Sequence, residues 1–125
     1  MSLDVYLLGE TILFPCRCKH CEHDHFRNEE NVLYNSNITH NLGAMAEEAG
    51  IYKHLWRPEE IGIVKAYQLI DPLKDGLELM KADRSRFEKH NAKNGWGLYE
   101  HFLPWVENYL SACEENPMAK VEVSR

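Results

Sequence analysis

Six residues between positions 16 and 25 carry side chains that bind soft metal ions: Cys16, Cys18, His20, Cys21, His23 and His25. They account for three of the four Cys and three of the seven His in the 125-residue chain. Thiolates with imidazoles suit zinc, and four such ligands in a tetrahedron close the ion's coordination. Cys18-x-x-Cys21 has the spacing at which a tight turn aims both sulfurs inward. Cys16/Cys18 and His23/His25 are i, i+2 pairs, and on the two arms of a hairpin each pair points to one face. Five good donors compete for four places. The expected ligands are Cys16, Cys18 and Cys21 with either His23 or His25, while His20, on the expected turn, points away. No second Cys/His pair follows at the interval of a two-pair zinc finger. A tetrad filled by protein ligands is a structural site; a catalytic one keeps a position open to water, which a spare His or His40 could provide.

A second group of polar residues surrounds His40 in Asn37-Ile38-Thr39-His40-Asn41-Leu42. Asn37 or Thr39 can cap a helix that starts here, and the free N–H groups of a helix start favour an anion. One reading is a small site with His40 as acid/base or ligand and Asn37 and Asn41 as hydrogen bonders. The other is a well-capped helix with a His packed near its start. Trp56-Arg57-Pro58-Glu59-Glu60 reads either as a recognition edge, with Arg stacked on Trp, or as a core Trp before an acidic first turn. Trp96 and Tyr99, beside Gly95 and Gly97, could grip a ligand or simply anchor the loop by packing. The chain has no glycine-rich phosphate loop, no G-x-S-x-G elbow and no H-E-x-x-H helix, which lowers the case for nucleotide-dependent or hydrolytic chemistry.

The elements that must position these residues follow from periodicity. Residues 3–9 read as a strand, Thr11 to Phe14 as a second, and Val32 to Tyr34 as a return strand, with 26–31 as a polar turn or loop. The small antiparallel sheet so formed carries the Cys/His cluster at its tip. From residue 37 the period becomes helical. Leu42, Met45, Ala46 and Ala49 form a stripe that stops at Gly50. Ile51 to Trp56 is a short helix or turn, and Pro58 starts the next helix. The stripe Ile63, Ala66, Tyr67, Ile70, Leu73, Leu77, Met80 follows, with a kink expected at Pro72. Residues 84–90 add a turn. Leu98, Phe102, Trp105, Val106, Tyr109 and Cys113 mark a final helix bent at Pro104, and Val121–Val123 reads as an edge strand that pairs with residues 3–9. The expected fold is one α+β domain over 1–125. It has a β hairpin region (1–36) with the metal cluster, a helical body (37–116) of about four helices, and a C-terminal strand (119–124).

Composition bounds the rest. Hydrophobic residues make up 44% and charged residues 27%, enough to build a core in one domain. A net charge of −6 argues against a general nucleic-acid or anionic-membrane binder. No apolar run approaches the ~18–20 residues that span a bilayer, and MSLDVYLLGETILF lacks the basic start of a secretory signal. Crowded Cys and no export signal point to the cytoplasm, with Cys113 a buried, reduced hydrophobe.

NITHNLGAMAEEAGIYKHLWRPEEIG, NGWGLYEHFLPWVENYLSACEENP and the closing VEVSR resemble a family of small proteins found in bacterial genomes and their phages or prophages. SLDVYL and the CEHDH segment resemble some members as well. The resemblance covers most of the chain and implies no particular activity. Some similar proteins replace the Cys/His insert, which implies that the metal site is an accessory to a shared part over Asn37–Gly62 and Asn94–Pro117, with His40, Asn37, Asn41, Trp56 and Trp96 as one possible surface. The expected function is a zinc-stabilised interaction module with a protein partner. The alternatives are a small zinc-dependent hydrolase working near His40 and a binder of a small anionic ligand at Asn37, His40 and Asn41.

Overall fold

The computed structural model describes residues 2–9, 12–15, 26–29 and 32–125, with backbone alone for 12–15 and 26–29. Leu3, Val5 and Leu7 alternate with Asp4 and Tyr6, and this period of two builds β1 (Ser2–Leu8) with one face in the core. β1 is the centre of a three-stranded antiparallel sheet. Its neighbours are β4 (Val32–Thr39) and β5 (Lys120–Ser124). Ser2 lies opposite Thr39 and Asp4 opposite Asn37 on one side, and Val5 opposite Val123 on the other. The pairing of the closing strand with residues 3–9 is as the alternation at Val121–Val123 predicts.

Between β1 and β4 the chain makes a separate two-stranded sheet from β2 (Ile12–Pro15) and β3 (Phe26–Glu29). β3 corrects the expectation of a polar turn at 26–31. The residues Phe26-Arg27-Asn28-Glu29 have no apolar alternation, and their strand character comes from pairing with Ile12–Pro15. The return strand is also longer than Val32–Tyr34. It runs to Thr39, so Asn37 belongs to the sheet and not to a helix start. Asn35, Ser36 and Asn37 are poor strand formers, held extended by hydrogen bonding to β1.

The helical body is α1 (Gly43–Glu48), α2 (Tyr52–Trp56), α3 (Tyr67–Ala82), α4 (Arg84–Glu88) and α5 (Tyr99–Glu115), with single 3-10 turns at His40–Leu42 and Pro58–Ile61. The stripe Leu42, Met45, Ala46, Ala49 is buried as its spacing predicts, and Gly50 ends that segment in the left-handed region. Pro58 opens only one 3-10 turn before Gly62. Ile63 and Ala66 are buried but precede α3. The buried face of α3 is Leu69, Leu73, Gly76, Leu77 and Met80, while Tyr67 is half exposed. Pro72 and Pro104 each sit in the second turn, and α3 and α5 continue through them as single helices. Proline there removes one intrahelical bond near the helix start, and the packing of the two helices on each other and the burial of their apolar faces in the core outweigh that loss.

Beneath the sheet lies one core in which Tyr109, Phe87 and Phe102 are the largest fully buried side chains. The Tyr99 hydroxyl donates to the Met80 carbonyl at 2.9 Å and ties the start of α5 to the end of α3. Cys113 is buried and free, and burial pushes its thiol up to about 12, so it is a protonated core residue.

Two close features give stability predictions. A Cβ on Gly76 would lie 2.7 Å from Ile51 Cγ2. Alanine would gain about 1 kcal/mol of helix propensity and lose about 1–3 kcal/mol to overpacking. Gly76→Ala should therefore lower the melting temperature; a rise would show that Ile51 yields freely. His54 has an unpartnered Nδ1, and burial holds its pKa below the usual 6.5. The unfolded chain then takes up this proton first. Stability is complete above about pH 6.5 and falls as the pH drops through the lower folded value. Thermal melts from pH 7.5 to 5 should show this decline, and His54→Leu should flatten it.

Candidate functional site

The β1–β4 register decides how the polar run from Asn37 is displayed. Asn37 faces Asp4 across the sheet, and its Nδ2 donates to Asp4 Oδ1 at 2.7 Å. Two residues on, the strand ends at Thr39. Its hydroxyl oxygen accepts the backbone N–H of Asn41 at 3.3 Å, making Thr39 the cap of the turn His40–Leu42. Of the two candidate caps, Thr39 takes the role. The turn sets Leu42 into the core and leaves Asn41 exposed.

The loop before α5 is built against this turn. Asn41 Nδ2 donates to the Trp96 carbonyl at 2.8 Å, and Asn94 Oδ1 accepts the Trp96 backbone N–H at 3.0 Å. The Tyr99 N–H donates to Asn91 Oδ1 at 2.7 Å, and the Ala92 N–H to the Gly97 carbonyl at 3.1 Å. Gly97 has φ +117°, and a Cβ there would come within 2.9 Å of Asn41 Cβ. Only glycine combines that backbone conformation with so close an approach. Trp96 is thus fixed through its backbone while its side chain is 69% exposed.

Between the turn and the loop lies an open cavity of about 940 Å³, lined by Asn37, His40, Asn41 and Trp96 together with Ser2, Thr39, Asn94 and His101. The structure therefore brings together Asn37, His40, Asn41 and Trp96 of the expected surface, while Trp56 is buried and not in the lining. None of the lining residues is Lys or Arg. The helix-start N–H of Asn41 is already used by Thr39. Ser2, Asn94 and His101 were not legible as site residues. Single polar residues on a strand, a loop and the first turn of a helix share no spacing signal.

His40 is tied to the core from behind. The Trp56 indole N–H donates to His40 Nδ1 at 2.7 Å. Indole nitrogen is a donor only, so Nδ1 must present its lone pair and the proton of the neutral ring sits on Nε2. In this arrangement His40 offers a donor to the cavity it lines, not the lone pair of a base or metal ligand. Trp56 itself is buried, stacked on Tyr52 with ring centroids 5.3 Å apart. The core reading of Trp56 is the correct one, and Arg57 turns to Glu60 at 2.9 Å in place of stacking on it. Arg125, just past β5, donates to the Trp56 carbonyl at 2.7 Å and pairs with the Glu59 carboxylate.

Cys16, Cys18, Cys21, His23 and His25 lie outside the described residues. Among the described residues no three His, Cys, Asp or Glu gather as a metal site, and no helix is long and apolar enough to cross a membrane. No family model matches the chain, and no curated protein or solved structure matches it.

The His40 assignment has a direct spectroscopic signature. Long-range 15N NMR of the imidazole at neutral pH should show a protonated Nε2 and an unprotonated Nδ1. Trp56→Phe, which removes the donor, should let the other tautomer appear. A native protein with the proton on Nδ1 would mean that the indole bond is not made in solution.

Proposed function

We propose that the chain is a zinc-stabilised interaction module, with Cys16, Cys18, Cys21 and one of His23 or His25 as ligands. One observation carries this reading. Pro15 pairs with Phe26 at the end of the β2–β3 ladder, so the connection between the two strands is residues 16–25. Every Cys and His of the cluster falls in that connection. The ladder has only four residues on each strand and forms a sheet of its own. An isolated two-stranded hairpin is marginal in water. A metal ion bound by the connecting residues would contribute its binding energy to folding of that hairpin. The resemblance to small phage and prophage proteins agrees with an accessory element inserted between two strands of a common sheet.

The net charge of −6 fits a protein partner better than nucleic acid, and a thiolate metal site suits the reducing cytoplasm. The hydrolase alternative needs a proton acceptor near the metal. With Nδ1 of His40 engaged by Trp56, that residue is a donor, which favours binding over catalysis. The anionic-ligand alternative meets a cavity whose described lining has no Lys or Arg, its basic groups being the imidazoles of His40 and His101.

Elemental analysis of protein purified under reducing conditions should find about one zinc per chain. A chelator should lower the melting temperature, and Cys18→Ser or Cys21→Ser should reduce zinc content. Metal-free protein that melts at the same temperature would reject the proposal.

A further inference from the structure

The cavity beside Trp96 has a chemistry of its own. Most tryptophan side chains are largely buried, and here Trp56 is. Trp96 differs in that two side chains hold its backbone N–H and carbonyl while its ring is left in solvent. Asn41 Nδ2 and the Trp96 carbonyl form one bond, and Asn94 Oδ1 and the Trp96 N–H form the other. Gly97, where any side chain would strike Asn41, lets the loop approach. A loop that needed only an anchor would bury this ring. A rigid peptide under an exposed ring is the construction of a platform.

The walls around the platform are neutral and short. His40 contributes the Nε2–H left by its bond to Trp56. Asn41 keeps its carbonyl oxygen after its amide nitrogen is used, and Thr39 and Ser2 supply hydroxyls. Lys and Arg are missing from the lining, and Asp4 stands behind Asn37. An anion would find no Lys or Arg among the described lining residues, where the imidazoles of His40 and His101 are the sole basic groups, and would meet the Asp4 carboxylate nearby. A purine or pyrimidine can also stack on a single aromatic ring, but it carries no rim of hydroxyls; beside Trp96 this cavity sets short polar groups and the His40 and His101 imidazoles together with the apolar Ile38 and Leu42. A pyranose ring matches the asymmetry. One face carries axial C–H groups that lie flat on an aromatic ring, and the rim carries hydroxyls that both donate and accept.

We propose that this cavity binds an uncharged saccharide ring, stacked on Trp96 and hydrogen-bonded by His40 and Asn41. The volume of about 940 Å³ and its open mouth leave room for more than one sugar residue.

The test is a 1H–15N NMR titration of the whole chain. The probes are methyl glucopyranoside, methyl galactopyranoside, N-acetylglucosamine and their β-linked disaccharides, with adenosine and inorganic phosphate as comparators. At least one saccharide should move the Trp96 indole signal and the amides of Asn41 and 94–97, and adenosine and phosphate should not. Trp96→Ala, at an exposed position, should keep the native melting temperature and weaken that saccharide by about tenfold or more. The proposal is overturned if no saccharide in the panel moves these signals, if adenosine or phosphate is the probe that does, or if Trp96→Ala binds as well as the native chain. Should Trp96→Ala not fold, His40→Gln, which keeps a donor, and His40→Ala provide the same comparison. Gln must bind better than Ala.

Discussion

The indole N–H of Trp56 is buried and has one proton to give, and His40 receives it at 2.7 Å. Leaving a buried donor without a partner costs on the order of 1–3 kcal/mol, so the core holds His40 in one orientation and one tautomer. The same Trp56 is stacked by Tyr52 on its ring and held at its carbonyl by Arg125. Three distant parts of the chain therefore meet at one residue: the strand-to-helix turn at His40, the short helix α2, and the end of β5. A polar residue on the cavity wall inherits the rigidity of the core through this single bond.

The sheet supplies the second constraint. β1 is the central strand, so its alternating Leu3, Val5 and Leu7 must all face the core, and a one-residue slip would expose them. That register in turn places Asp4 beside Asn37 and Ser2 beside Thr39. The position where β4 stops and the His40–Leu42 turn begins is thus set by apolar burial on the other face of the sheet. The β2–β3 ladder lies between β1 and β4 in the chain and, among the described residues, forms a two-stranded sheet separate from theirs.

The loop at 94–97 is the third. Its conformation rests on two glycines with positive φ and on the amide side chains of Asn91, Asn94 and Asn41. Such a loop has almost no apolar burial to define it. Polar side chains replace core packing as the source of its shape, and this leaves the Trp96 ring in solvent.

Much of this architecture was legible in the chain itself. Alternation at residues 3–9 and Val121–Val123, the helical stripe of Leu42, Met45, Ala46 and Ala49, and the stop at Gly50 are local patterns set by the period of each element. The α+β class and the buried character of Cys113 and Trp56 follow from the same patterning. Four features needed the tertiary structure: β3, the extension of β4 through Asn37 to Thr39, the continuity of α3 through Pro72, and the cavity that Asn37, His40 and Asn41 share with Trp96. The physical reason is common to them. A polar strand is extended only because a partner strand hydrogen-bonds it, and a helix continues past proline only because neighbours pack its face. Likewise, two segments more than fifty residues apart share a cavity only because the core brings their ends together. Sequence alone determined which residues could bind a metal or a ligand; the core decided which of the described ones face the same space.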